Sequence, residues 1–124
     1  AMLLPVSAPF HCKLMQPAAD VMATALAEVT IKAPVSPLVS NVLAAPITDP
    51  DEIRRRLVEQ VTGTVRWRES VAYMASHGVT RFLEIGAGKV LSGLVKRIAD
   101  GAVGVSVGGP NDIAAAKDAL AASA

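Results

Sequence analysis

The sequence predicts an α/β fold, with helices flanking a largely parallel sheet. Three observations lead there. Short apolar runs at residues 3–6, 38–42, 81–85 and 103–107 alternate with longer stretches whose apolar residues recur every three or four positions. Prolines and glycines fall at the junctions between the two kinds of segment. Hydrophobic residues make up 52% of the 124 positions but aromatics only 3%, so the core is one of Ala, Val, Leu and Ile.

The elements follow in order. Residues 3–6 read as a strand, and the loop from Ser7 to Cys12 leads into a helix starting near Leu14, because Pro17 is tolerated only in a first turn. Leu14, Ala18, Val21, Ala25 and Val29 are its expected inner stripe. Pro34 and Pro37 bracket a turn before a buried strand at 38–42. Thr48-Asp49-Pro50 opens the next helix with an oxygen-bearing cap and a proline at the first position. Ile53, Leu57 and Val61 face inward there, while Arg54, Arg55 and Arg56 mostly face water. After Gly63 a helix at 67–77 turns Val71 and Met74 inward and stops at Gly78. The strand at 81–85 passes through the turn Gly86-Ala87-Gly88 into a helix that buries Val90, Leu91, Leu94 and Ile98. A last strand at 103–107 and a helix at 111–121 complete the chain. No internal repeat is present.

Composition excludes several function classes. The net charge of +1 argues against a strong electrostatic grip on nucleic acid. The mean hydropathy of +0.42 is high for a small free-standing domain. No apolar run is long enough to cross a bilayer, so the surplus fits packing against more protein. The lone Cys12 excludes an internal disulfide and a thiolate metal cage, and fits a reducing cytoplasm. Ala1-Met2-Leu3-Leu4 lacks the basic start and long apolar stretch of a signal peptide, and reads as a strand entered partway along a longer polypeptide.

Pro9-Phe10-His11-Cys12 is the stretch richest in chemistry. A histidine on a loop before a helix can be presented to a substrate, and imidazole suits general acid–base work near neutral pH. Its bland reading is a surface histidine with no role. Cys12 reads as a small buried residue at the helix start, since catalytic Cys/His pairs meet in space rather than as sequence neighbours. His77, ahead of Gly78, reads as a helix-end cap. Gly104-Val105-Ser106-Val107-Gly108 matches G-x-S-x-G, but a nucleophile elbow needs its serine on the turn before a helix, and Ser106 falls inside a β-branched run. Gly86-Ala87-Gly88-Lys89 is part of a phosphate loop, with Leu83 and Val90 where the full pattern needs Gly and Ser or Thr. Lys96 and Arg97 suit the carbonyl end of their helix and could also meet an acidic partner.

Taken together, Val6-Ser7-Ala8-Pro9-Phe10-His11-Cys12, Leu14-Met15-Gln16-Pro17-Ala18, Gln60 with Val65-Arg66-Trp67, and the run from Leu83 to Leu91 resemble the malonyl-CoA:acyl carrier protein transacylases of bacterial type II fatty-acid synthesis. The resemblance runs along nearly the whole chain and covers only the C-terminal part of that enzyme. Ala87 stands where proline is common in the family's E-V-G-P-G-K segment. The resemblance implies that residues 1–124 are the C-terminal portion of an α/β hydrolase-like acyltransferase domain, with the N-terminal part and the ferredoxin-like insertion absent. It implies malonyl transfer from malonyl-CoA to the phosphopantetheine thiol of an acyl carrier protein through an acyl-serine. That serine belongs to a G-H-S-L-G motif missing from this chain. His11 takes the position of the catalytic general base and acid, and Gln60 the position whose backbone carbonyl orients it, so that the side chain of Gln60 matters less. Phe10 goes with malonyl rather than methylmalonyl selectivity in related acyltransferases, and Lys96 and Arg97 are candidate contacts for the acidic carrier protein. The resemblance also implies a cytoplasmic enzyme with no metal, no bound cofactor and no membrane or nucleic-acid partner. This chain alone is then expected to be inactive without its N-terminal portion. The rival readings are a self-contained serine hydrolase using Ser106 and a non-catalytic α/β binding module.

Overall fold

The computed structural model describes residues 8–121, and the predicted strand at 3–6 lies outside them. The chain divides into two units, one ending at Ser70 and the other beginning at Val71.

In the first unit a turn of 3-10 helix at Lys13–Met15 leads into α1 (Gln16–Ala27), with Pro17 in its first turn. Strand β1 (Leu38–Val39) pairs antiparallel with β2 (Pro46–Ile47), in register Leu38↔Ile47 and Val39↔Pro46. Helix α2 (Pro50–Thr62) follows, and α3 (Trp67–Ser76) begins in this unit. Asp49 caps α2 by accepting from the Glu52 amide at 2.7 Å, with Pro50 at the first position. That cap is the one the sequence predicts, and a cap of this kind contributes about 1 kcal/mol.

Helix α1 packs on α2, but not through the expected stripe. Leu14 and Val21 are exposed, whereas Ala19 is buried and Met15 and Leu26 are half-buried. The inner row is therefore 15, 19 and 26, a quarter-turn away. The helix is apolar on both rows, with Gln16, Asp20 and Thr24 forming its polar side, so spacing alone did not select between them. The predicted strand at 38–42 is also shorter than expected. The chain turns at Ser40, whose carbonyl accepts from the Ala44 amide at 2.8 Å with Ala44 at a left-handed φ of 54°. The partner strand β2 falls in a stretch that the sequence pattern leaves as a loop. Of the three arginines on α2, only Arg55 is exposed. Arg56 pairs with Glu52 and Glu59, and Arg54 donates to the Val29 carbonyl.

The second unit is a β–α–β arrangement. Strands β3 (Arg81–Ile85) and β4 (Val103–Val107) pair parallel, from Arg81↔Val103 to Ile85↔Val107. Helix α4 (Val90–Ile98) packs on both strands. A 3-10 turn at Pro110–Asp112 leads into α5 (Ile113–Ala121), which packs on β4. Val71 and Val95 are its fully buried side chains. The α/β class, the parallel pairing and both of these strands agree with the sequence.

The buried face of α4 differs from expectation. Val90 and Leu91 are exposed, Leu94 and Ile98 are half-buried, and Ser92, Val95 and Ala99 are buried. Two contacts set this rotation. The Glu84 carboxylate accepts from the Leu91 and Ser92 amides at 3.2 and 2.8 Å. Gly104 on β4 lies so close to Ser92 that a Cβ there would stand 2.5 Å from the Ser92 carbonyl oxygen. Only glycine fits at position 104 under this close approach, which sets the Ser92 backbone against β4.

Two outcomes follow. Replacing Gly104→Ala forces backbone apart and should destabilise the protein by about 1–3 kcal/mol, read from urea unfolding midpoints. The amide of Ser92, aided by its hydroxyl and the Leu91 amide and opposed by desolvation, holds the Glu84 pKa below the ordinary glutamate value. A depressed carboxylate pKa contributes stability above the unfolded-state value, and that stability is lost as pH falls through the folded-state value. Glu84→Gln should therefore flatten the acid limb of the stability curve below about pH 5, where the wild-type carboxylate takes up its proton.

Candidate functional site

The site candidates of the first unit meet at the carbonyl end of α2. A helix leaves its last four carbonyls without intrahelical partners. The Glu59 carbonyl is taken by the Gly63 amide at 2.9 Å, and Gly63 then turns the chain to extended geometry with φ −91° and ψ 156°. The amide that would have served Gln60, that of Thr64, is past this cap. The Gln60 carbonyl instead faces the imidazole Nδ1 of His11 at 2.9 Å.

That contact fixes the chemistry of the ring. A carbonyl oxygen can only accept, so the proton of the neutral ring sits on Nδ1 and Nε2 keeps its lone pair. His11 is exposed and has a left-handed φ of 56°, a conformation open to few residues besides glycine and asparagine. The loop before it is tied by the Phe10 amide to the Ala8 carbonyl at 2.9 Å, and by the Cys12 thiol to the Pro9 carbonyl at 3.1 Å. Cys12 is half-buried. Phe10 is 58% exposed beside His11.

One hydrogen bond from the end of α2 and two from Arg66 just beyond it hold the β1–β2 turn. The Asn41 side-chain amide donates to Gln60 Oε1 at 2.9 Å, and the Asn41 carbonyl accepts from the Arg66 amide at 2.8 Å. Arg66 also donates from its guanidinium to the Leu43 carbonyl at 2.9 Å. A Cβ on Gly63 would stand 2.9 Å from Val42 Cγ1, so the turn and the helix end are in close contact. A cavity of about 230 Å³ beside them is lined by Leu38, Asn41, Ile53, Arg56, Leu57 and Gln60, among others. Sequence reasoning missed Asn41, and gave Arg66 no role of its own. A side-chain pairing across 19 residues leaves no trace in spacing or periodicity.

The other candidates lie in the second unit. Ser106 is the fourth residue of β4, with its hydroxyl 2.9 Å from that of Ser92. It is on a strand, whereas a nucleophile elbow puts its serine on the strand-to-helix turn. The amides at the start of α4, where a phosphate loop would hold its anion, already donate to Glu84. Lys96 and Arg97 are exposed in the last turn of α4. His77 stacks on Tyr73, with ring centroids 4.1 Å apart, and Nδ1 lies 2.8 Å from the Tyr73 carbonyl. Among the described residues, no group of three or more His, Cys, Asp or Glu is placed to hold a metal ion, and no helix is long and apolar enough to cross a membrane.

No family model matches the chain. A malonyl CoA-acyl carrier protein transacylase of Escherichia coli K12 is 48% identical over 116 residues, covering 94% of this chain and 38% of that protein. The crystal structure of an acyl-carrier-protein S-malonyltransferase from Bartonella henselae matches with a TM-score of 0.86 and 49% identity, over 97% of this chain and 38% of that one. A type II polyketide synthase acyl carrier protein in complex with its malonyl-transacylase matches with a TM-score of 0.83 and 39% identity, over 94% and 38%. The chain thus spans about 38% of the length of these relatives. In sequence and in backbone course, it corresponds to the C-terminal segment of the malonyl-CoA:acyl carrier protein transacylases.

Proposed function

We propose that the chain supplies the histidine half of a malonyl-CoA:acyl carrier protein transacylase, as the C-terminal part of its larger acyltransferase domain. The observation that carries this reading is the His11 Nδ1 to Gln60 carbonyl contact at 2.9 Å, in a chain 48% identical to such an enzyme. With Nδ1 protonated, Nε2 is the base. It accepts the proton as the hydroxyl oxygen of a serine from the N-terminal portion attacks the malonyl thioester. It then returns that proton to the departing CoA thiolate, leaving a malonyl ester on the serine. In the second half-reaction Nε2 takes the proton of the carrier-protein thiol, which attacks the ester, and hands it back to the serine oxygen. A backbone carbonyl replaces the acidic member of a triad in holding the tautomer and ring orientation.

Other parts of the chain acquire roles on this reading. Phe10, adjoining His11, fills the space a methyl branch would need and favours malonyl over methylmalonyl. One methyl is worth only about 1–3 kcal/mol in a pocket, so this selectivity is modest. Lys96 and Arg97 contact the acidic carrier protein. The exposed row Leu14, Ala18, Val21 and Ala25 and the exposed Val90 and Leu91 are surfaces for the N-terminal portion. The reaction runs in the cytoplasm on two thioester substrates, with no metal or bound cofactor.

In the complete enzyme, His11→Ala should lower the kcat of malonyl transfer by about 10²–10⁴-fold. Transfer of radiolabelled malonyl from CoA to holo carrier protein is the measurement, and undiminished turnover would remove His11 from the mechanism. This chain alone should give no transfer until the N-terminal portion is supplied.

A further inference from the structure

We propose that Asn41 is a positioning residue for His11, acting through the side chain of Gln60. The inference rests on the reading of His11 as the base. The orienting group is a backbone carbonyl, so its direction is set by whatever fixes the peptide plane at the end of α2. The last turn of a helix is where that plane frays most readily. Here the Gln60 side chain is tied at Oε1 to the Asn41 amide at 2.9 Å in a part-buried setting. Asn41 cannot drift with it. Its own carbonyl is held by the Arg66 amide at 2.8 Å, and its neighbour Val42 packs where a Gly63 Cβ would stand, at 2.9 Å. Arg66 in turn binds the Leu43 carbonyl at 2.9 Å and Glu69 at 3.1 Å. The turn after β1 is thus a bracket anchored at Gly63 and Arg66, just past residue 60, and Asn41 links it to the Gln60 side chain.

Contrary to the expectation that the identity of residue 60 matters little, the amide of Gln60 is the handle by which the bracket grips the carbonyl. Loosening it leaves the base chemically intact but misaimed. A free imidazole loses the constraint that keeps its proton on Nδ1.

The test uses the complete enzyme. Asn41→Ala should lower kcat about tenfold with KM for malonyl-CoA changed less than about twofold, the pattern of a lost transition-state alignment. In ¹⁵N spectra of the imidazole at neutral pH, the His11 signals should move from the Nδ1–H pattern toward the Nε2–H pattern. Gln60→Ala removes the same hydrogen bond from the other side and should reproduce both effects. The double variant should be little worse than either single one, because the two changes break one interaction. If Asn41→Ala fails to fold, Gln60→Ala carries the same readouts. Unchanged kcat and tautomer in either soluble variant would overturn the proposal. A lower melting temperature with an unchanged tautomer would assign Asn41 to structure alone and overturn it too. Full activity in His11→Ala would instead sink the reading of the base, while the tautomer spectra would still decide whether Asn41 positions the ring.

Discussion

Every α-helix ends with carbonyls that have lost their partners, and the first unit of this protein turns one of them toward a histidine. Which carbonyl is available depends on where the helix starts and stops. Asp49 and Pro50 fix the start of α2, and Gly63 ends it thirteen residues later. A shift of one residue would rotate the terminal carbonyls by about 100° around the axis and turn the Gln60 oxygen away from His11. The cap at one end of α2 therefore determines the geometry at the other. His11 must meet the carbonyl from a left-handed backbone position, which the tied loop before it holds in place.

Holding an imidazole with a carbonyl instead of a carboxylate has a physical consequence. A neutral acceptor fixes the tautomer without placing a negative charge beside the ring. A neutral hydrogen bond is also weaker than a charge-assisted one, with a net worth of about 1 kcal/mol against about 1.5–3. Orientation then depends on the rigidity of the helix end. The carbonyl itself cannot be removed by changing a side chain, so sensitivity moves to the groups that immobilise it: the Gln60 side chain, Asn41, Gly63 and Arg66.

Legibility in the sequence followed the range of the forces involved. Local chemistry was readable: the Asp49-Pro50 start, the glycine turn after Ile85, and the strands at 81–85 and 103–107 all depend on neighbours in the chain. Which face a helix buries was not. On α1 two adjacent rows are equally apolar, and the choice between them is made by α2. On α4 hydrophobicity pointed to Val90 and Leu91, yet the helix turns Ser92 and Val95 inward, with its backbone close over Gly104. The pairing of His11 with Gln60, 49 residues apart, came from a family resemblance rather than from spacing. Asn41 had no signal at all, since an isolated asparagine in a turn is usually just a turn residue.

The glycine turn after β3 shows how a motif fragment is best judged. A strand, a glycine-rich turn and a helix start form the frame that cradles phosphate in many proteins, because free amides at a helix start attract an anion. In this chain the anion is internal. Glu84, on the strand just before the turn, reaches the Leu91 and Ser92 amides and occupies the position a phosphate would take. Those amides hold the carboxylate pKa below the ordinary glutamate value, as hydrogen bonds to the charged form do. An outside anion would have to displace a tethered one whose effective concentration is far higher. The turn thus ties helix α4 to strand β3, and its amides serve the fold.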